Sequence, residues 1–210
     1  MTLFHFIVAG FAALFPLVNP VGGVAIYASM SSHLDPAEKR KQAIKTAIYI
    51  FILLAVFGLL GPLILKGLGL TIPALQLAGG LIVGAAGFGM INPKPEHEEN
   101  IKSKHEGKQD ISFSPMALPM LAGPGAIGAV IALGARNGSV ETLIGLTLGY
   151  FLLALLTGVL LYFATPLFDK LKPGAIDALT RIMGFLILAI GTQIFIGGLH
   201  DWLIHVGALH

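Results

Sequence analysis

The chain has 210 residues, of which 55% are hydrophobic and only 11% charged, with a net charge of +2 and a mean hydropathy of +0.84. Ordinary soluble domains carry about 25% charged residues, so a water-soluble globular protein is excluded and an integral membrane protein is expected. The absence of Cys removes disulfides and thiolate metal sites, and the length leaves room for roughly six spans of about 20 residues with short loops.

The first apolar run covers residues 3 to 30 and follows Met1-Thr-Leu-Phe-His5, with no Lys or Arg. It lacks the basic start of a cleaved signal peptide and reads as the first span. Inside it stands Pro16-Leu-Val-Asn19-Pro20-Val-Gly22-Gly23. Asn is a favoured helix N-cap, and Pro suits the first helical position because its missing N–H would be unbonded there anyway. The string therefore predicts a half-helix ending at Pro16 and a second one starting at Asn19. Further runs cover 43 to 65 and 73 to 91, the latter with Gly80, Gly84 and Gly87 on one face, a pattern of close helix packing. The polar stretch Asn92 to Gln109 follows and reads as a solvated linker over 92–112. The fourth run, 113 to 135, is broken by Pro119-Met-Leu-Ala-Gly123-Pro124-Gly125, and runs at 142 to 166 and 178 to 199 complete the chain.

One shift of 104 positions carries Pro20 onto Pro124, Pro62 onto Pro166, Gly80 onto Gly184 and Gly87 onto Gly191. The chain reads as a duplication, with a first three-helix repeat at 1–91 and a second at 113–210. Eleven of the thirteen basic residues (Lys39, Arg40, Lys41, Lys45, Lys94, Lys102, Lys104, Lys108, Lys170, Lys172 and Arg181) fall in loops on one side. Lys66 and Arg136 lie on the other. The positive-inside rule places both termini outside and the linker in the cytoplasm. Three spans per half make the repeats inverted. The expected fold is thus all-α, with six transmembrane helices as two inverted three-helix repeats whose first and fourth helices are broken.

A break deep in a membrane frees backbone groups that no water can satisfy, so it survives where it is buried in protein or lines a cavity. Corresponding breaks in two halves point to a transporter binding site. Each break offers a helix N-terminus suited to a carboxylate and, upstream, freed carbonyls suited to an ammonium or small cation. Small residues surround both (Gly22, Gly23, Ala25, Ala122, Gly125, Ala126, Gly128), and all eleven Asp and Glu lie in loops or at span ends. A small zwitterionic solute fits; a charged side chain would have no counter-ion. The competing reading is a pair of proline kinks with no ligand. The string Gly123-Pro-Gly125-Ala-Ile-Gly128 also matches a dinucleotide fingerprint, but no strand precedes it and no acidic residue follows at the needed spacing.

These motifs make the chain similar to the MarC family of six-span membrane proteins, related to LysE-type exporters. The resemblance is carried by Phe15-Pro-Leu-Val-Asn19-Pro20-Val-Gly22, Leu75-Gln-Leu-Ala-Gly79-Gly80 and Pro115-Met-Ala-Leu-Pro119-Met-Leu-Ala-Gly123-Pro124-Gly125-Ala126-Ile127, and it runs through essentially the whole chain. It implies transport of small neutral amino acids such as glycine and alanine, and its motif residues are Asn19, Pro20, Gly22, Gly123, Pro124 and Gly125 here. The pattern departs at Ala25, where many members of the family carry a further proline.

Thr192 and Gln193 lie well inside the sixth span and join the candidate substrate-binding set, interhelical bonding being the alternative. Gln76 and Arg181 occupy corresponding stretches near span ends, where Arg181 suits snorkelling to the surface. His97, His105, His200 and His205 form no metal-ligand spacing. No cofactor is expected beyond a coupling ion, proton or sodium, and the spans hold no Asp, Glu or His to relay protons. An enzyme is not expected, because the spans hold no Cys and no internal His, Asp or Glu for a nucleophile–base pair or metal set. The expectation is a secondary transporter in the plasma (inner) membrane, working by alternating access. Its partners are a small neutral amino acid and the lipid bilayer, with no nucleic acid and with a homo-oligomer left open. A small-solute or ion channel and a non-transporting accessory protein are the alternatives.

Overall fold

The computed structural model describes residues 2–92, 110–136, 139–164, 166 and 173–207. Most of the expected linker lies outside them. The described chain is helical: α1 (Leu3–Val18), α2 (Pro20–Met30), α3 (Pro36–Gly67), α4 (Ile72–Ile91), a wide π segment (Ser112–Leu121), α5 (Pro124–Arg136), α6 (Val140–Tyr162) and α7 (Pro173–His205). Four helices are long and apolar enough to cross a membrane. Two further pairs pass the same test together, α1 with α2 bent by 40° and the π segment with α5 bent by 65°, which gives up to six spans if each bent pair is one.

Local chemistry sets several boundaries. Asp35 accepts the amides of Ala37 and Glu38 at 2.9 and 3.0 Å, and Pro36 occupies the position where an amide would be wasted. The second helix therefore begins at Pro36, well before the expected start at 43. Lys39, Arg40, Lys41 and Lys45 ride on its first turns and not in a loop, and Arg181 likewise lies inside α7. Thr71 caps α4 through the Ala74 amide at 3.3 Å, and Ser139 caps α6 through the Thr142 amide at 3.2 Å.

Packing follows an exchange between the halves. The glycines of α6 face α1, Gly145 against Leu3 and Phe6 and Gly149 against Ile7 and Phe11, so the two helices run in the same direction. In the same way α3 runs alongside the second bent pair, with Thr46 at Ser112, Tyr49 at Phe113 and Gly61 at Ile131. Helices α4 and α7 cross antiparallel through a glycine seam: a Cβ on Gly80 would stand 2.7 Å from the Gly191 carbonyl oxygen, and one on Gly87 2.6 Å from that of Gly184. The expected packing role of Gly80 and Gly87 is what the structure contains. A Cβ on Gly84 would meet only Leu188, at 3.8 Å, although the Gly84 backbone itself packs under Gly191.

The core gathers Leu14, Val18, Val24, Ile50, Leu54, Met116, Leu121 and Leu153 between the bent pairs and α3 and α6. Large apolar side chains also cover the outside, including Phe4, Leu63, Leu81 and Phe185. A water-soluble domain would not present so continuous an apolar surface.

Candidate functional site: the two helix bends

Asn19 forms the first bend. Its backbone is left-handed (φ 46°, ψ 62°), a conformation Asn tolerates better than most residues, and its N–H bonds the Phe15 carbonyl at 3.0 Å to close α1. The same residue opens α2, because its side-chain Oδ1 accepts the Gly22 amide at 3.2 Å and its carbonyl accepts the Gly23 amide at 3.0 Å. Asn19 is therefore the C-cap of one helix and the N-cap of the next. The expected end of the first half-helix at Pro16 is corrected: Pro16 lies inside α1, which continues to Val18. A proline there removes only its own donor, and the left-handed turn at Asn19 ends the helix two residues later. Pro20, with no N–H, leaves the Pro16 carbonyl without its helical donor.

The second bend is built differently. Ser114 and Leu118 are extended (φ −126°, ψ 119° and φ −128°, ψ 126°), each preceding a proline joined by a cis bond, and the segment is held by Met116 N–H to Ile111 and Ala122 N–H to Ala117, at 3.1 and 2.7 Å. Residues before proline favour extended backbone. Gly123 then leads into α5, its carbonyl accepting the Ile127 amide at 3.0 Å. A side chain at Gly123 would strike the Pro119 carbonyl oxygen. With no side chain, Gly123 cannot cap, and the amides of Gly125 and Ala126 at the start of α5 receive no capping oxygen from it.

The bends meet. A Cβ on Gly23 would stand 2.7 Å from Leu121 Cδ2, and Val18, Val24, Leu121, Ala122 and Ala126 belong to one buried cluster. On the far side of α5, Gly125 faces Val83, and a Cβ on Gly128 would stand 3.7 Å from the Cα of Gly79. Gly79 is buried, yet nothing lies within 4 Å of where its side chain would be. The start of α5 thus has open space at one flank.

Of the predicted site residues, Asn19, Pro20 and Gly22 form the first bend and Gly123, Pro124 and Gly125 the second, Pro20 buried and Pro124 exposed. Thr192 and Gln193 are exposed on α7. The Thr192 hydroxyl bonds the Leu188 carbonyl of its own helix at 2.9 Å, and Gln193 sits opposite the face that meets α4.

Sequence reasoning missed a polar node at the other end of the second bent pair. Gln42 and Thr46, both fully buried, reach the chain entering the π segment: Gln42 Oε1 accepts the Ile111 amide at 3.0 Å, and the Thr46 hydroxyl is shared between the Gln42 carbonyl of its own helix at 2.9 Å and the Ser112 carbonyl at 3.1 Å. Lys45 pairs with Asp110 at 2.7 Å. The Lys45 ammonium, then the Ser112 hydroxyl, hold the Asp110 carboxyl down to about 2. Thr46 inside the apolar run at 43 to 65, with Gln42 at its edge, was the available signal.

The MarC family profile, described as an integral membrane protein family, matches residues 4–203. The chain belongs to the MarC family. Relatives include the UPF0056 inner membrane protein MarC of Escherichia coli strain K12 and that of Shigella flexneri, each 32% identical over 95% of this chain and 96% of the relative. The corresponding protein of Escherichia coli strain SMS-3-5 is 30% identical over the same shares. No solved structure matches. A family member of this composition, with helices of this length and apolarity, is a multi-pass membrane protein.

Proposed function

We propose that this MarC-family chain is a secondary transporter of small neutral amino acids, glycine or alanine in size, with its binding site at the start of α5. The observation that carries the reading is the pairing of two bent helices that abut at Gly23 and Leu121, one self-capped and one not. The Asn19 side chain occupies the donor of the first bend, so the carboxylate falls to the uncapped amides of Gly125 and Ala126, where backbone N–H groups and the helix dipole favour an anion. Pro119 and Pro124 have no N–H to give, so carbonyls freed around this bend would supply an acceptor for the ammonium. Open space beside Gly79 and Gly128 would take the small side chain of such a solute. Thr192 and Gln193 have no part in this constellation.

The exchange of partners between the halves supports an inverted repeat. The shift that relates Pro20 to Pro124 also converts the Gly80–Gly191 contact into the Gly184–Gly87 contact, and it relates α3 beside the second bent pair to α6 beside the first. We read each bent pair as one broken span, with both termini outside, the linker cytoplasmic, and the chain in the inner membrane as the names of its relatives suggest. Rocking one repeat against the other would expose the site to each face in turn.

A thermal-shift comparison of glycine with glycinamide tests the reading, since a ligand that prefers the folded state raises apparent stability. Glycine and alanine are expected to raise the melting temperature of the purified protein, and glycinamide, which lacks the carboxylate, is not. Equal effects of glycine and glycinamide, or none, defeat it. Counterflow in proteoliposomes separates a carrier from a channel, because an open pore shows no exchange acceleration.

A further inference from the structure

The first turns of α3 tie together three other parts of the bundle. The Tyr27 hydroxyl at the end of α2 donates to the Lys39 carbonyl, and the Arg40 guanidinium lies 5.3 Å from the ring centre of Tyr162 at the end of α6. Gln42, Lys45 and Thr46 hold residues 110–112 through the three bonds described above. At the opposite end, the side-chain bonds of Thr2, Thr71, Ser139 and Thr142 stay within their own helix starts. Among the described residues, the first turns of α3 thus carry polar links to α2, α6 and the chain entering the π segment.

What this node holds is the entry to the bent pair that is extended at Ser114 and Leu118. Two extended residues between an anchored strand of chain and α5 are pivots, because they break the helical ladder that would otherwise transmit motion rigidly. The anchor is made of discrete side-chain bonds to the backbone of Ile111 and Ser112 and one ion pair whose members are 35% and 50% exposed. Such bonds can be released as a set without unfolding a helix. The apolar packing of Gly61 on Ile131 and of Gly23 on Leu121 lies farther along the same pair.

We propose that Gln42, Thr46 and the Lys45–Asp110 pair are the latch of a gate at the basic end of the bundle, and that their release lets the π segment swing while the opposite end stays packed. The purpose of that opening rests on the transport reading. The latch itself is testable without any solute.

The chain contains no Cys, so single thiols report local opening cleanly. Ala117→Cys places one in the π segment, where Ala117 is fully buried, and Leu146→Cys places one in α6 beside Gly10, where Leu146 is 4% exposed. Labelling with a membrane-impermeant maleimide in nanodiscs is compared between the parent, Thr46→Val and Asp110→Asn. Thiol labelling at 117 is expected to rise by about tenfold in Thr46→Val, as loss of a buried bond shifts a local opening equilibrium, with a smaller rise in Asp110→Asn and no change at 146. Thr46→Ser, which keeps the hydroxyl, is expected to label at the parent rate. Should Ala117→Cys not fold, Met116→Cys, equally buried, reports on the same segment. An unchanged rate in the π segment, or an equal rise at both ends, overturns the latch. Absence of glycine stabilisation together with selective labelling would instead defeat the transport reading and leave the latch standing.

Discussion

Asn19 places its side-chain oxygen 3.2 Å from the Gly22 amide, while Gly123, 104 positions later, has no side chain with which to do the same. The two bends are therefore related by position but not by chemistry. Replacing Asn19 by Ala removes a cap, which costs about 1 kcal/mol, and leaves the left-handed backbone without the local side-chain bonding that eases it for Asn, at a further cost of up to about 1 kcal/mol. Asn19→Gly loses the cap but keeps the conformation without strain. Thermal unfolding in detergent should order the three proteins as parent, Asn19→Gly, then Asn19→Ala, and a more stable Ala variant would show that the cap is not formed.

The α4–α7 seam predicts a second ordering. A Cβ on Gly80 would stand 2.6 Å from the Phe195 amide nitrogen, and one on Gly191 2.8 Å from the Gly80 carbonyl oxygen, both backbone atoms that cannot turn aside. Gly80→Ala and Gly191→Ala should each cost about 1 to 3 kcal/mol by forcing the helices apart. Gly89→Ala, with nothing within 4 Å, should leave the melting temperature unchanged. Equal effects at 80 and 89 would mean that the helices do not meet there.

The bends were legible because Asn-Pro and Gly-Pro act locally: the residue types that stop and restart a helix do so through their own donors and φ angles. The small-residue seam was legible for the same reason, from spacing on one face. The start of α3 was not, because hydropathy weighs Lys39, Arg40 and Lys41 as loop, whereas Asp35 and Pro36 fix a helix start whatever follows. Least legible was the node, since Thr46 and Ser112 are separated by 66 positions and only the folded chain brings them together. The difference between the bends stood in the sequence as Asn against Gly, yet its meaning depends on where the Asn19 oxygen points.

Filling the open space beside Gly79 tests the site separately from the bends. Nothing lies within 4 Å of a Cβ there, so Gly79→Leu should fold with a melting temperature close to that of the parent. It should also lose the stabilisation by glycine, about 2.7 kcal/mol at a hundredfold excess over Kd, because the larger side chain takes the volume beside Gly128. A variant that still responds to glycine would move the site elsewhere.

Asp110 makes a prediction at the acid end. Its carboxyl is held down to about 2 by the Lys45 ammonium and the Ser112 hydroxyl, below the ordinary value of about 3.9 of a free chain. A depressed carboxyl stabilises the fold fully above its unfolded value, and that contribution fades as pH falls from about 4 towards 2, where the folded state also takes up the proton. Because the carboxylate is half exposed, the effect should be modest and should shrink in high salt. Unfolding followed across this window should therefore show the parent losing stability faster than Asp110→Asn, which has no proton to bind, with the two curves converging towards pH 2. A parallel pair of curves would mean that the Lys45–Asp110 pair does not form in solution.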